Sequence, residues 1–171
     1  ALNTIALDST GDVNDQKKYT ISGLQGGAEP SLDLSSLNFG PANVSFLATL
    51  MTSFRLFTAA MTEVILDSNP ITGSRYIDLD QYGRTGHGVR VKSNGVEEYD
   101  CDPSGLVAVL EAMKSSAVTK LSISDCDIGP KGLMTSAPLI SAIPALLEVN
   151  LSVNKCFGQQ SRDNDGRASW V

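Results

Sequence analysis

Three stretches of this chain repeat one spacing of apolar residues, and that spacing limits the folds open to it. They are Val118-x-x-Leu121-x-Ile123-x-x-Cys126-x-Ile128, Leu146-x-x-Val149-x-Leu151-x-x-Asn154-x-Cys156 and Met61-x-x-Val64-x-Leu66-x-x-Asn69-x-Ile71. In each, two apolar residues two apart point to the same side of a short strand, because side chains alternate with period 2. An Asn or Cys follows three positions later. Turned inward, its side chain hydrogen-bonds backbone of the neighbouring loop, which a lone turn leaves unsatisfied. A unit this small cannot bury its own apolar face, so the copies must stack.

Weaker copies extend the pattern. Leu32-x-Leu34-x-x-Leu37-x-Phe39 is followed by Gly40-Pro41, as Ile128 is followed by Gly129-Pro130, but it puts Leu37 at the Asn/Cys position. Leu2-x-x-Ile5-x-Leu7-x-x-Thr10 is read as a degenerate first copy. Leu121 and Val149 lie 149 − 121 = 28 apart, and Ile5 and Leu32 lie 32 − 5 = 27 apart. The connectors read as helices. Ser104 to Met113 carries Leu106, Val109, Leu110 and Met113 on one stripe, with Ser104 or Asp102 as its cap. Pro41 to Phe54 presents Val44, Leu47, Leu50, Met51 and Phe54; Pro130 to Ile143 presents Leu133, Ala137 and Ile140, with Pro138 inside it and Pro144 as its stop.

The three strong copies resemble the leucine-rich-repeat consensus L-x-x-L-x-L-x-x-N/C-x-L. Their long period and helical connectors are similar to the ribonuclease-inhibitor-like subclass. The resemblance covers residues 2 to 157 and implies an α/β solenoid, with parallel strands on the concave face and helices on the convex face. It implies function only by class, since such proteins bind many unrelated partners. Some activate GTPases, but no residue here carries that role over.

Residues 74–102 are too long for one connector. One reading makes Val89-x-Val91-x-x-Asn94-x-Val96 a sixth repeat strand. The favoured reading is a β-hairpin insertion, with a turn at Asn94-Gly95 and alternating Val89, Val91 and Val96 around it. Removing the stretch joins Thr72-Gly73 to Ser104-Gly105 and restores a normal repeat. The segment from Gly11 to Pro30 is irregular, with Tyr19-Thr20-Ile21 as an extra strand. Residues 158–171 read as a polar tail. The chain begins Ala1-Leu2-Asn3, and its first copy starts at Leu2, so it reads as a fragment of a longer protein. That leaves the compartment open.

A net charge of −6 repels phosphate, which argues against nucleic acid and anionic membrane surfaces as partners and leaves basic proteins open. No apolar run reaches the ~20 residues that span a bilayer. Three cysteines, with no C-x-x-C pair, fit neither a disulfide framework nor a zinc site. Cys126 reads as a buried structural residue and Cys101, between Asp100 and Asp102, as a poor nucleophile. Asp8-Ser9-Thr10-Gly11 is one residue too long for the aspartic-protease signature and has no second copy. Asp163-Asn164-Asp165-Gly166 is an incomplete calcium loop, and Gly23 to Gly27 lacks the Lys of a phosphate loop. His87, the sole histidine, sits between glycines and reads as an exposed loop residue. Neither an enzyme nor a cofactor is expected. Of two sequons, at Asn43 and Asn150, the second lies in a strand.

Two surfaces could bind a partner. On the outward side of the strands Asp8, Asp33 and Asp67 are expected to form an acidic row, with Glu63 and Glu148 beside it, suited to a basic segment. That face has no Trp, Tyr or Arg, the usual sources of binding energy. The insertion holds Tyr76, Tyr82 and Tyr99 with Arg75, Arg84, His87 and Arg90, a composition suited to recognition loops or to a cap over the flank. The expected function is a protein-interaction scaffold, or an architectural subunit of a larger complex whose neighbours cover the ends of the array.

Overall fold

The apolar pairs of the repeat lie in strands that pair in parallel. A computed structural model of the protein describes residues 2–8, 17–24, 29–54, 59–73, 75–77, 96–156, 160–162 and 168–170. In chain order its elements are β1 (Ile5–Asp8), β2 (Lys18–Ile21), β3 (Ser31–Asp33), α1 (Pro41–Ser53), β4 (Glu63–Ile65), β5 (Arg75–Ile77), β6 (Val96–Glu98), α2 (Ser104–Met113), β7 (Lys120–Ser122), α3 (Pro130–Ser141), β8 (Glu148–Asn150), β9 (Gln160–Arg162) and β10 (Ala168–Trp170). The chain is thus mixed α/β. Its main sheet has four parallel strands in the order β3-β4-β7-β8.

The registers Ser31↔Glu63, Glu63↔Lys120 and Lys120↔Glu148 give offsets of 63 − 31 = 32, 120 − 63 = 57 and 148 − 120 = 28. Backbone bonds carry these offsets beyond the strands: Leu34 N–H donates to Ile65, Leu66 N–H to Ser122 and Ile123 N–H to Asn150. Leu32, Val64, Leu121 and Val149 are therefore equivalent, as are Leu34, Leu66, Ile123 and Leu151. The inner members Val64, Leu66, Leu121 and Ile123 are buried. Parallel strands need crossover connections, and α1, α2 and α3 lie in those crossovers. Val44, Leu47, Leu50 and Met51 of α1 and Leu106, Val109, Leu110 and Met113 of α2 are buried, as their stripes predict. In α3 the buried residues are Gly132 and Ser136, with Leu133, Leu139 and Ile140 half-buried; Ala137, expected on the inner stripe, is exposed.

The expected first copy is a different structure. β1 pairs antiparallel with β2, Ile5 opposite Ile21 and Asp8 opposite Lys18, in a sheet of its own. Tyr19, Ile21 and Leu24 are buried, and the Tyr19 ring lies 4.5 Å from that of Phe39. Lys17 Nζ donates to the Ser36 carbonyl at 2.6 Å. This hairpin closes the β3 end of the apolar core, so an array starting uncovered at Leu2 is not what forms. Period-2 alternation of Ile5 and Leu7 suits either strand direction.

β4 neighbours β7 directly, although 57 residues separate their equivalent positions. The intervening β5 and β6 pair antiparallel with each other, Arg75 opposite Glu98 and Ile77 opposite Val96. Val96 thus belongs to no parallel strand, against the sixth-repeat reading. Its partner among the described residues is Ile77, and the turn expected at Asn94-Gly95 lies outside the described residues. Asp102 N–H donates to the Thr72 carbonyl at 2.9 Å, joining the two ends of the inserted stretch. The segment read as a polar tail contains a third antiparallel pair, β9 with β10. Asp163-Asn164-Asp165-Gly166, read as an incomplete calcium loop, lies outside the described residues.

Candidate functional site

The site is the outward face of the parallel sheet, and an inner ladder of side chains fixes its geometry. Leu37, Asn69, Cys126 and Asn154 are equivalent by register. Asn69 Oδ1 accepts the N–H groups of Leu37 at 3.0 Å and Phe39 at 2.8 Å, while its Nδ2 donates to the carbonyls of Leu34 and Leu66, each at 2.8 Å. Asn154 repeats the arrangement two layers on, accepting from Cys126 and Ile128 and donating to Ile123 and Leu151. Between them the Cys126 thiol donates to Leu66 and Ser124. Burial, with the nearby charges of Asp67, Asp125 and Asp127, pushes that thiol up to about 12 against the pull of the Asn69 N–H. A thiol so held is a structural group and no nucleophile.

Each strand is thereby held in one register, and its outward residues line up in three rows. The first row is Ser31, Glu63, Lys120 and Glu148; the second is Asp33, Ile65, Ser122 and Asn150; the third is Ser35, Asp67, Ser124 and Ser152. A shallow open hollow lies across them, lined by Glu63, Ile65, Asp67, Lys120, Ser122, Glu148 and Asn150, with Leu121 at its floor. Four carboxylates, Asp33, Glu63, Asp67 and Glu148, stand against one cation, Lys120, for a sum of 1 − 4 = −3. Lys120 Nζ meets Glu148 Oε2 at 3.3 Å, an exposed pair that adds little stability.

The acidic row is not assembled as expected. Asp33 stands opposite Ile65, and Asp67 belongs to the next row, so the two are offset by one outward position. Asp8 lies in the hairpin and joins no strand of this sheet. Asp33 in β3 and Asp67 just past β4 follow parallel strands but sit one outward position apart in register, while Asp8 lies in a strand paired antiparallel elsewhere. Asp67 is also engaged: its carboxylate accepts the Ser122 hydroxyl at 2.7 and 2.9 Å and the Ser124 N–H at 2.8 Å. Asn150 Nδ2 donates to the Ser122 hydroxyl and its Oδ1 accepts the Ser152 N–H and hydroxyl. Such bonds between adjacent strands stiffen the face. They were missed because Ser122, Ser124 and Ser152 look like filler in the sequence; their recurrence at alternate positions was the available signal.

Of the tyrosine- and arginine-rich candidates, Tyr76 sits in β5 opposite Glu97, and Tyr82, Arg84, His87 and Arg90 lie outside the described residues. Tyr99 is half-buried at the root of the insertion, beside Gly129. Cys101 is exposed, and Asn43 is buried within α1. Among the described residues no group of three or more His, Cys, Asp or Glu side chains could hold a metal ion, and no helix is long and apolar enough to cross a membrane. No known protein family matches the chain, and no curated protein matches it.

Proposed function

We propose that the chain is a leucine-rich-repeat module of the ribonuclease-inhibitor-like kind that holds a protein partner on the outward face of its parallel sheet. The observation that carries this reading is the hollow itself: Ile65, half-buried, lies among Glu63, Asp67 and Lys120, with hydroxyl and amide groups around it. A local excess of negative charge favours a basic segment, and Ile65 offers an apolar seat for the stem of a Lys or Arg side chain. Hydroxyl and amide groups fixed by bonds across the strands supply further contacts to the backbone of such a segment.

The test is a selection of displayed random peptides on the intact chain. Recovered binders should be enriched in Lys and Arg, associate more slowly as salt rises, and fail on a variant carrying Ile65→Arg and Asn150→Arg. Binders that tolerate both substitutions and show no salt dependence would remove this face from the account. A second reading, an architectural subunit of a larger assembly, is favoured by one feature: the apolar side chains at the far edge of the sheet.

A further inference from the structure

The two ends of the parallel sheet are built differently. At β3 the hairpin β1–β2 covers the core with Tyr19, Ile21 and Leu24. At β8 none of the described strands pairs with the outer side. The core positions open there: Leu146, Val149 and Leu151 are only half-buried, where their equivalents Val118, Leu121 and Ile123 are buried. Two further residues depart from the pattern. Thr62 and Thr119 bond the carbonyls of the preceding layer through their hydroxyls, but the equivalent residue is Leu147, which is 86% exposed. Ser36, Ser68 and Asp125 give way to Val153, 69% exposed. A solvent edge is usually blunted by Lys, Pro or a bulge, and apolar residues at both ends of β8 invite pairing.

We infer that the outer edge of β8 is a docking site for a partner that adds one parallel strand carrying Asn or Cys at the ladder position. The three existing junctions specify that chemistry. At each, the N–H groups of the inner layer donate to the incoming strand: Leu34 and Ser36 to Ile65 and Asp67, Leu66 and Ser68 to Ser122 and Ser124, Ile123 and Asp125 to Asn150 and Ser152. The incoming strand returns two N–H groups to a single carbonyl, of Pro30, Thr62 or Thr119. Its Asn or Cys reaches back to Leu34, Leu66 or Ile123. The matching groups on the outer side of β8 are the N–H groups of Leu151 and Val153 and the carbonyls of Leu147 and Leu151, and among the described residues nothing bonds those N–H groups. A second copy docking through its β3 end meets a conflict, because its ladder residue there is Leu37, which has no side-chain donor, and its hairpin already covers that end. The occupant is therefore not a second copy docked through β3, and its strand supplies both apolar contact to Leu147 and Val153 and the missing side-chain donor.

The experiment uses the full 171-residue chain and a labelled synthetic peptide of sequence 118–129 with Asn in place of Cys126. A control peptide carries Leu at that position. Expected results are saturable binding, slower amide exchange at Leu151 and Val153, and at least about tenfold weaker binding of the control, the loss of one buried donor. Leu147→Lys with Val153→Lys should abolish binding while the exposed positions leave melting cooperative; Leu147→Thr, which restores the residue of the inner layers, should retain it. Absence of peptide binding, equal binding of the Leu control, or protection of the same amides by self-association without peptide each overturns the proposal.

Discussion

Asp100 and Gly132 lie 32 residues apart, and the carboxylate of the first accepts the backbone N–H of the second at 2.7 Å. Its other oxygen accepts the N–H of Gly129 at 3.0 Å. These are orphan donors of the first turn of α3, and the buried carboxylate stands where the helix dipole favours negative charge. The closeness depends on missing side chains: a Cβ at Gly129 would lie 2.7 Å from Asp100 Oδ2, and one at Gly132 closer still to Oδ1. Ala in place of Gly inside a helix normally stabilises by about 1 kcal/mol. Gly132→Ala should instead lower stability in denaturant unfolding. Asp100→Ala should cost about 1–3 kcal/mol. The double variant should lose less than the sum of the two. A stabilised Gly132→Ala protein would contradict this geometry.

Asn69 presents a cleaner separation of polarity from size. Asn69→Leu keeps the volume but leaves the N–H groups of Leu37 and Phe39 and the carbonyl of Leu34 without their partner. A loss of about 3–5 kcal/mol is expected, within the range for a broken buried network. Asn69→Cys copies the residue that Cys126 supplies one layer on and should lose less than half as much. Equal losses, measured by urea titration, would mean that shape rather than hydrogen bonding matters there.

Alkaline pH should separate Cys126 from a serine in its place. Burial is the main cause that pushes the folded thiol up to about 12 from the ordinary 9.0. A raised folded value means that the native state holds its proton more tightly. Its contribution is complete below 9.0 and is lost as pH rises toward 12. Cys126→Ser does not titrate there, so the stability difference between native chain and variant should shrink or reverse as pH rises from about 8 to about 10.5. Under native conditions the exposed Cys101 should be alkylated well before the buried Cys126; modification of both at one rate would refute the burial.

Four equivalent turn residues share a left-handed backbone: Ser36, Ser68, Asp125 and Val153, with φ of 54°, 55°, 53° and 63°. The first three are small or polar residues. Val153 is β-branched, and its conformation costs about 1–2 kcal/mol. Val153→Asn should raise the melting temperature, because the exposed side chain gives up little packing. An unchanged or lower value would show that Val153 has a contact worth the strain.

Much of this architecture could be read from residue spacing, because the spacing is itself the mechanism. Leu121 and Ile123 face inward together in any extended strand, and Asn69 or Asn154 at the ladder position has few other roles open to it. The helix from Ser104 to Met113 was legible for the same reason, with its N-terminus near Asp102, whose Oδ1 accepts the Ser104 N–H at 3.0 Å. What the spacing could not convey was direction and distance. Ile5 and Leu7 alternate as a repeat strand would, and only the absence of Asn or Cys at Thr10 hinted that they pair with Tyr19 and Ile21 instead. Asp100 lies outside every repeat, and its bond to Gly132 spans 32 residues. The outward face suffered in the same way: Asp33 and Asp67 look equivalent until the register places one opposite Ile65 and the other opposite Ser124.

The bond from the Asp102 N–H to the Thr72 carbonyl divides the chain into two accounts of sequence change. Everything between those residues leaves and re-enters at one point, while the sheet runs from β4 to β7 without a gap. Lengthening such a loop costs only about 0.6 kcal/mol per doubling, so selection on stability is nearly blind to its length. Residues 74–98 are thus a cassette, with Tyr99 and Asp100 kept behind as part of the scaffold under α3: a place where sequence can be exchanged, lengthened or replaced by a foreign peptide, at a fixed position beside the start of α2, without renegotiating the register of any strand.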